Sequence, residues 1–195
     1  VFRKMVRFGA FISFPAMLGL AFTAKEFIYI LLGEKWLASV PFLQLFCIWG
    51  AVGYLWLLYT NLLISYGKSD IYLLGIVFSS GLQLAVVWLM FPFGIYFMVM
   101  GYIGVYYLGL LFWHYFVNRE IEIKLFEVVA DIFPYLIAVL LAIGIAHLCS
   151  TRYEFGVYAK FFIKIIVVML VYVCIMWKGN SQVFKECVQY VKKRR

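Results

Sequence analysis

The residues of this chain that could do chemistry are few, and they stand inside long apolar runs: Lys25, Gln44, Thr60, Asn61, Ser79, Ser80, Gln83 and Lys164. An ammonium inside or beside a bilayer is a compact partner for phosphate. An Asn or Gln amide there either touches substrate or hydrogen-bonds a neighbouring helix. Lys25, Asn61 and Gln83 are the candidate substrate contacts, and both readings stay open for the two amides. Carboxylates offer little to a general acid or base, because Glu26 adjoins Lys25 and Asp131 stands at the edge of its apolar run. His114 and His147 lie near helix ends, without metal-ligand spacing. Cys47, Cys149, Cys174 and Cys187 form no C-x-x-C. No Ser/His/Asp arrangement and no Gly-rich phosphate loop occurs. The expectation is a protein with no catalytic residue, no metal and no cofactor.

The elements that must position these residues are spans of a bilayer. Mean hydropathy is +1.00, and only 13% of residues are charged against roughly 25% in an average soluble domain. Six apolar blocks follow one another: Phe8–Leu32, Pro41–Ser65, Ile71–Phe91, Ile95–Val117, Ile132–Cys149 and Val157–Trp177. The reading is an all-α, polytopic helical membrane protein with six transmembrane helices over residues 1–177. A basic tail follows at 178–195, with a pattern that fits an interfacial helix on anionic lipid. Chain opening at Val1 rather than Met reads as a fragment of something longer. The first block is long enough to cross about 30 Å of hydrocarbon, and Pro15 within it should kink the helix. Gly33 through Trp36 supplies its stop and an interfacial aromatic. Lys25, about 25 Å along the axis from Phe8, falls near the far membrane face, where it snorkels, pairs with Glu34 or Glu154, or faces a cavity.

Further signals concern turns and packing. Asp70 suits an N-cap after the Tyr66–Ser69 turn. The short Pro92-Phe93-Gly94 link makes the third and fourth blocks an antiparallel hairpin. Ala138, Ala142 and Ala146 repeat every four residues, as do Gly75 and Ser79, which is the spacing of close helix approach in membranes.

The net charge of +8 sits between blocks, so it reports topology rather than nucleic-acid binding. With the N-terminus inside, the inner side collects Arg3, Lys4, Arg7, Lys68, Arg119, Lys124, Lys178, Lys185, Lys192, Lys193, Arg194 and Arg195. The outer side collects Lys35, Arg152 and Lys160. Both termini are expected in the cytoplasm.

A resemblance sharpens this reading. Phe14-Pro15-Ala16-Met17-Leu18-Gly19-Leu20, Ala24-Lys25-Glu26-Phe27-Ile28, Leu32-Gly33-Glu34-Lys35-Trp36 and Ala38 through Leu45 resemble the ninth span and its sequel in Wzx-type polysaccharide flippases. These are the O-antigen and capsule-repeat transporters, the polysaccharide branch of the multidrug/oligosaccharidyl-lipid/polysaccharide superfamily. Asn61-Leu62-Leu63 with Gly67-Lys68-Ser69-Asp70 resembles the loop after the tenth span. Pro92-Phe93-Gly94-Ile95 with Gly101 and Gly104 resembles the start of the twelfth. The match covers Arg3 to Val117; beyond it only the hydrophobic outline agrees. The resemblance implies spans nine to fourteen of a 14-span, two-lobed transporter in the bacterial inner membrane. It implies alternating access, an undecaprenyl-diphosphate-linked oligosaccharide as substrate, and an N-terminal lobe of the same protein as partner. Two other classes compete. A cation-coupled drug exporter of the same superfamily needs a free membrane carboxylate. A membrane glycosyltransferase or polymerase needs a large outer loop with Asp, Glu, Arg or His, whereas the outer loops here are short.

Overall fold

The structure, a computed structural model, describes residues 1–151 and 156–178. Its helices are α1 (Phe2–Phe22), α2 (Ala24–Leu32), α3 (Val40–Ser65), α4 (Ser69–Met90), α5 (Ile95–Ile121), α6 (Leu125–Thr151) and α7 (Val157–Lys178). Short 3-10 turns lie at Glu34–Ser39 and Phe91–Phe93, and no strand occurs among the described residues. Among the described residues, six helical stretches are long and apolar enough to cross a membrane. The chain is a multi-pass, all-α membrane protein. Apart from Lys178, the tail lies outside the described residues, as does Glu154, a partner considered for Lys25.

The opening block is two helices where the apolar run suggested one. α1 starts at Phe2 and ends at Phe22, and Thr23 leaves helical geometry with φ −99° and ψ 10°. Its backbone N–H and its hydroxyl both donate to the Gly19 carbonyl, at 3.1 and 3.0 Å. A threonine that satisfies itself against the preceding turn in this way competes with helix propagation. The helix runs unbroken through Pro15, although Pro15 has no N–H for the Phe11 carbonyl. Tyr172 on α7 fills that vacancy, its hydroxyl donating to the Phe11 carbonyl at 2.9 Å.

Helices also reach past the apolar blocks into the interface, where charged side chains meet water. α5 continues through Asn118, Arg119 and Glu120, which hydropathy placed in a loop, and closes on Glu122 in the left-handed region (φ 53°). α6 begins at Leu125, seven residues before the expected Ile132. Asp70 is not a cap: α4 starts at Ser69 with Lys68 in the cap position, and Asp70 occupies the first turn. Negative charge there still favours the positive end of the helix dipole. Gly33 ends α2 as expected, at φ 86°, its N–H bonding the Ile28 and Tyr29 carbonyls.

α1 is the centre of the bundle, packed between α3 and α6; α5 covers α3, α4 covers α5, and α7 covers α6. The α4–α5 pair is the hairpin expected from Pro92-Phe93-Gly94. The alternation gathers the start of α1, the Tyr66–Lys68 turn and the Glu122–Lys124 turn at one end, hereafter the Arg3 end. α2 and the Phe91–Gly94 turn stand at the other.

Two apolar clusters hold the order. One joins Ala10 and Phe14 of α1 to Ala138, Ala142 and Ala146 of α6 and Val168 and Tyr172 of α7. The alanine repeat thus faces its neighbours, allowing backbones to approach. The other joins Val6 to Leu55, Tyr59 and Leu63 of α3 and to Leu110, Trp113 and Val117 of α5. Gly75 admits the Trp113 indole to α4: a β-carbon there would lie 2.3 Å from the ring.

Candidate functional site

The structure separates the three sequence-derived contacts. Lys25 is exposed near the start of α2 and forms no ion pair with a described residue. Asn61 is exposed near the opposite end of α3, about 31 Å along the axis from Val40. Gln83 is half-buried on α4, the outermost helix of its side. No single site holds them all. Lys25 and Asn61 are exposed, whereas Gln83 is partly covered.

Ion pairs between helices make the tighter constellations. At the Lys25 end, Lys164 of α7 donates to Glu26 of α2 at 2.5 Å, and both side chains are nearly enclosed. The ammonium also lies 4.7 Å above the Phe22 ring. Lys25 and Glu26 project about 100° apart around the helix, so Glu26 turns inward to α7 while Lys25 faces out. A cavity of about 300 Å³ between α1, α2 and α7 is lined by Pro15, Gly19, Thr23, Phe27 and Lys164. The second Glu26 oxygen has no partner among the described residues.

At the Arg3 end, Asp131 of α6 is buried and accepts from two arginines of α1. Arg3 binds it in bidentate fashion, Nε at 2.7 Å and Nη2 at 3.1 Å, and Arg7 Nε lies at 2.8 Å. Charge-assisted, forked pairs of this kind are short and directional. Glu127 lies 4.0 Å from Arg3 Nη1, so this cluster sets two arginines against two carboxylates. Lys68, just before α4, and Glu120 of α5 form a looser pair at 3.6 Å. Arg3 and Asn61 line a cavity of about 780 Å³ with Ser65 and Tyr66. Asn61 is therefore the one sequence-derived contact that the fold sets beside a cation. His114, expected near a helix end, is buried within α5 and shares a 3.2 Å hydrogen bond with Tyr59. It lies in the packed interior, away from either cavity.

Buried ion pairs near helix ends and lipid-compatible faces elsewhere are those of a multi-helix membrane protein. Comparison with known proteins narrows this. Residues 1–41 match the model of a family described as polysaccharide biosynthesis protein. Over 51 residues the chain is 53% identical to an uncharacterized membrane protein in the cps region of Klebsiella pneumoniae, a match covering 26% of this chain and 10% of that one. It is 36% identical over 70 residues to teichuronic acid biosynthesis protein TuaB of Bacillus subtilis strain 168, covering 36% and 14% respectively. It is 41% identical over 49 residues to lipopolysaccharide biosynthesis protein WzxC of Escherichia coli K12, covering 25% and 10%. The matches thus span 10 to 14% of those relatives' lengths. No solved structure matches the chain significantly. The similarity to Wzx-type polysaccharide transporters read from Phe14 to Leu45 is borne out by these relatives.

Proposed function

We propose that this chain is part of a flippase that moves lipid-diphosphate-linked oligosaccharide units across the bacterial inner membrane for cell-surface polysaccharide assembly. The observation that carries the reading is α1. The central helix of the six-span bundle lies within the 1–41 stretch matched to a polysaccharide biosynthesis family. In this reading Lys25 attracts the diphosphate from outside the bundle, and Asn61 and Gln83 contact the oligosaccharide. Pro15 bends α1, and both termini are cytoplasmic. Other parts of the transporter, including an N-terminal lobe, complete the substrate path. The membrane carboxylates Glu26 and Asp131 are both held in ion pairs, which favours this reading over cation-coupled drug export.

Deleting the gene in its host tests the function. Surface polysaccharide should be lost while lipid-linked repeat units accumulate on the inner leaflet; normal surface polysaccharide overturns the reading. In the full-length transporter, Lys25→Ala should sharply reduce export at unchanged protein abundance, and Lys25→Arg should partly restore it. Full export by the alanine variant leaves Lys25 a snorkelling residue at the rim.

A further inference from the structure

The cavity at the Arg3 end continues into a second one. A groove of about 460 Å³ runs between α1 and α3 past Phe8, Gly9, Tyr54 and Leu57, and it shares Val1, Met5 and Leu58 with the first cavity. The two differ in chemistry along one line. The first presents Arg3, Asn61, Ser65 and Tyr66 among apolar side chains at the helix ends; the second is walled by Phe8, Leu57 and the Tyr54 ring, with Lys4 also in its lining. From Arg3 to Gly9 the descent is about 9 Å, and from Asn61 to Tyr54 about 10 Å. Both stay within one leaflet, about 15 Å of hydrocarbon. That outline is the outline of an ordinary phospholipid, with its head at the surface and chains ending before mid-bilayer.

Arg3 supplies the charge complement. Asp131 takes Nε and one Nη2 proton of its guanidinium. Of five N–H donors, three remain, on a side chain 44% exposed and lining the cavity. Asp131 thereby fixes the plane of the fork, as bidentate pairing does. Glu127 opposes an anion here, its carboxylate 4.0 Å from Arg3 Nη1. The pair is open to solvent and contributes little.

We propose that these joined cavities bind one anionic phospholipid of the surrounding bilayer, its phosphodiester on Arg3 with Asn61 and Ser65 as polar neighbours, and an acyl chain along Met5, Leu58 and Phe8. The site is separate from Lys25, and Asn61 borders both it and the oligosaccharide path proposed above.

Native mass spectrometry of the delipidated full-length protein tests it, with phosphatidylglycerol and phosphatidylcholine as probes. The first bound lipid should be phosphatidylglycerol, by about fivefold, the factor expected for one surface cation. Arg3→Gln should abolish that preference and Arg3→Lys should keep part of it. Glu127→Gln should enlarge it. Met5→Trp narrows the junction at an exposed position, leaves every ion pair intact and should reduce binding of both lipids. Equal binding of the two probes by the unaltered protein overturns the proposal, as does an unchanged preference in Arg3→Gln or unchanged binding in Met5→Trp. A polyprenyl phosphate that displaces phosphatidylglycerol at concentrations below the latter's own would make the transported lipid the occupant and equally overturn it.

Discussion

Glu26 and Lys164 meet at 2.5 Å although 138 residues separate them. The pair ties α2, which follows the break at Thr23, to the last described helix. Both side chains are nearly enclosed, at 12% and 13% exposure. Removing one member of such a pair leaves an uncompensated charge where solvation is poor, and the cost is about 3–5 kcal/mol. Glu26→Gln or Lys164→Met alone should therefore lower the thermal stability of the detergent-solubilised protein. The double variant should lose less than the two single losses combined, because it leaves no orphan charge. Additive losses would show that the two groups do not interact.

Gly75 offers a test of packing between α4 and α5. A β-carbon there meets the buried Trp113 ring at 2.3 Å, whereas one at Gly104 meets nothing within 4 Å. Gly75→Ala should destabilise by about 1–3 kcal/mol through overpacking. Gly104→Ala should be neutral or slightly stabilising, since alanine is the better helix former. The readout is the midpoint of thermal unfolding for each variant. Equal midpoints would mean that α4 and Trp113 are not in close contact.

The proposed membrane orientation rests on charge. The six candidate spans among the described residues would put both ends of the chain on one side, the side to which the charge rule assigns most basic residues. Reporter fusions after Arg195 and within residues 151–156 should report opposite faces, cytoplasmic for the former. The same face for both would remove one span from the count.

What the sequence made legible follows from what is local. Apolar runs of span length, the Gly33 stop and the Pro92-Phe93-Gly94 hairpin each depend on neighbours in the chain; the stop and the hairpin appear where expected, and the runs mark six spans whose ends they misplace. The break at Thr23 was hidden because threonine fits a helix as well as a turn; its hydroxyl chooses only once Gly19 is in place. Helix ends such as Asn118–Ile121 were missed because hydropathy marks the hydrocarbon boundary, while hydrogen bonding continues into water. Ion pairs were the largest omission. Arg3 and Asp131 lie 128 residues apart, and nothing beside either residue announces the other. For the same reason Lys25 drew attention that Glu26 did not: adjacency in sequence suggested pairing, yet side chains one residue apart on a helix point in different directions. Asn61 was identifiable as a polar residue in a span, but its cavity is shared with Arg3, which only the fold brings to it.

Pro15 and Tyr172 yield the last prediction. Proline at position 15 deprives the Phe11 carbonyl of its helical donor, and an unpaired carbonyl inside the bundle costs about 1–3 kcal/mol. The Tyr172 hydroxyl, 2.9 Å away on α7, supplies the missing donor. Tyr172 is buried, at 3% exposure, so water does not replace it. Tyr172→Phe keeps the ring and removes only the hydroxyl, and should destabilise by that amount. In a Pro15→Ala background the backbone N–H at position 15 returns to the Phe11 carbonyl, so the same Tyr172→Phe change should cost less. Thermal unfolding of the four proteins in the cycle measures the difference. An identical loss in both backgrounds would mean that the hydroxyl stabilises the bundle independently of the proline.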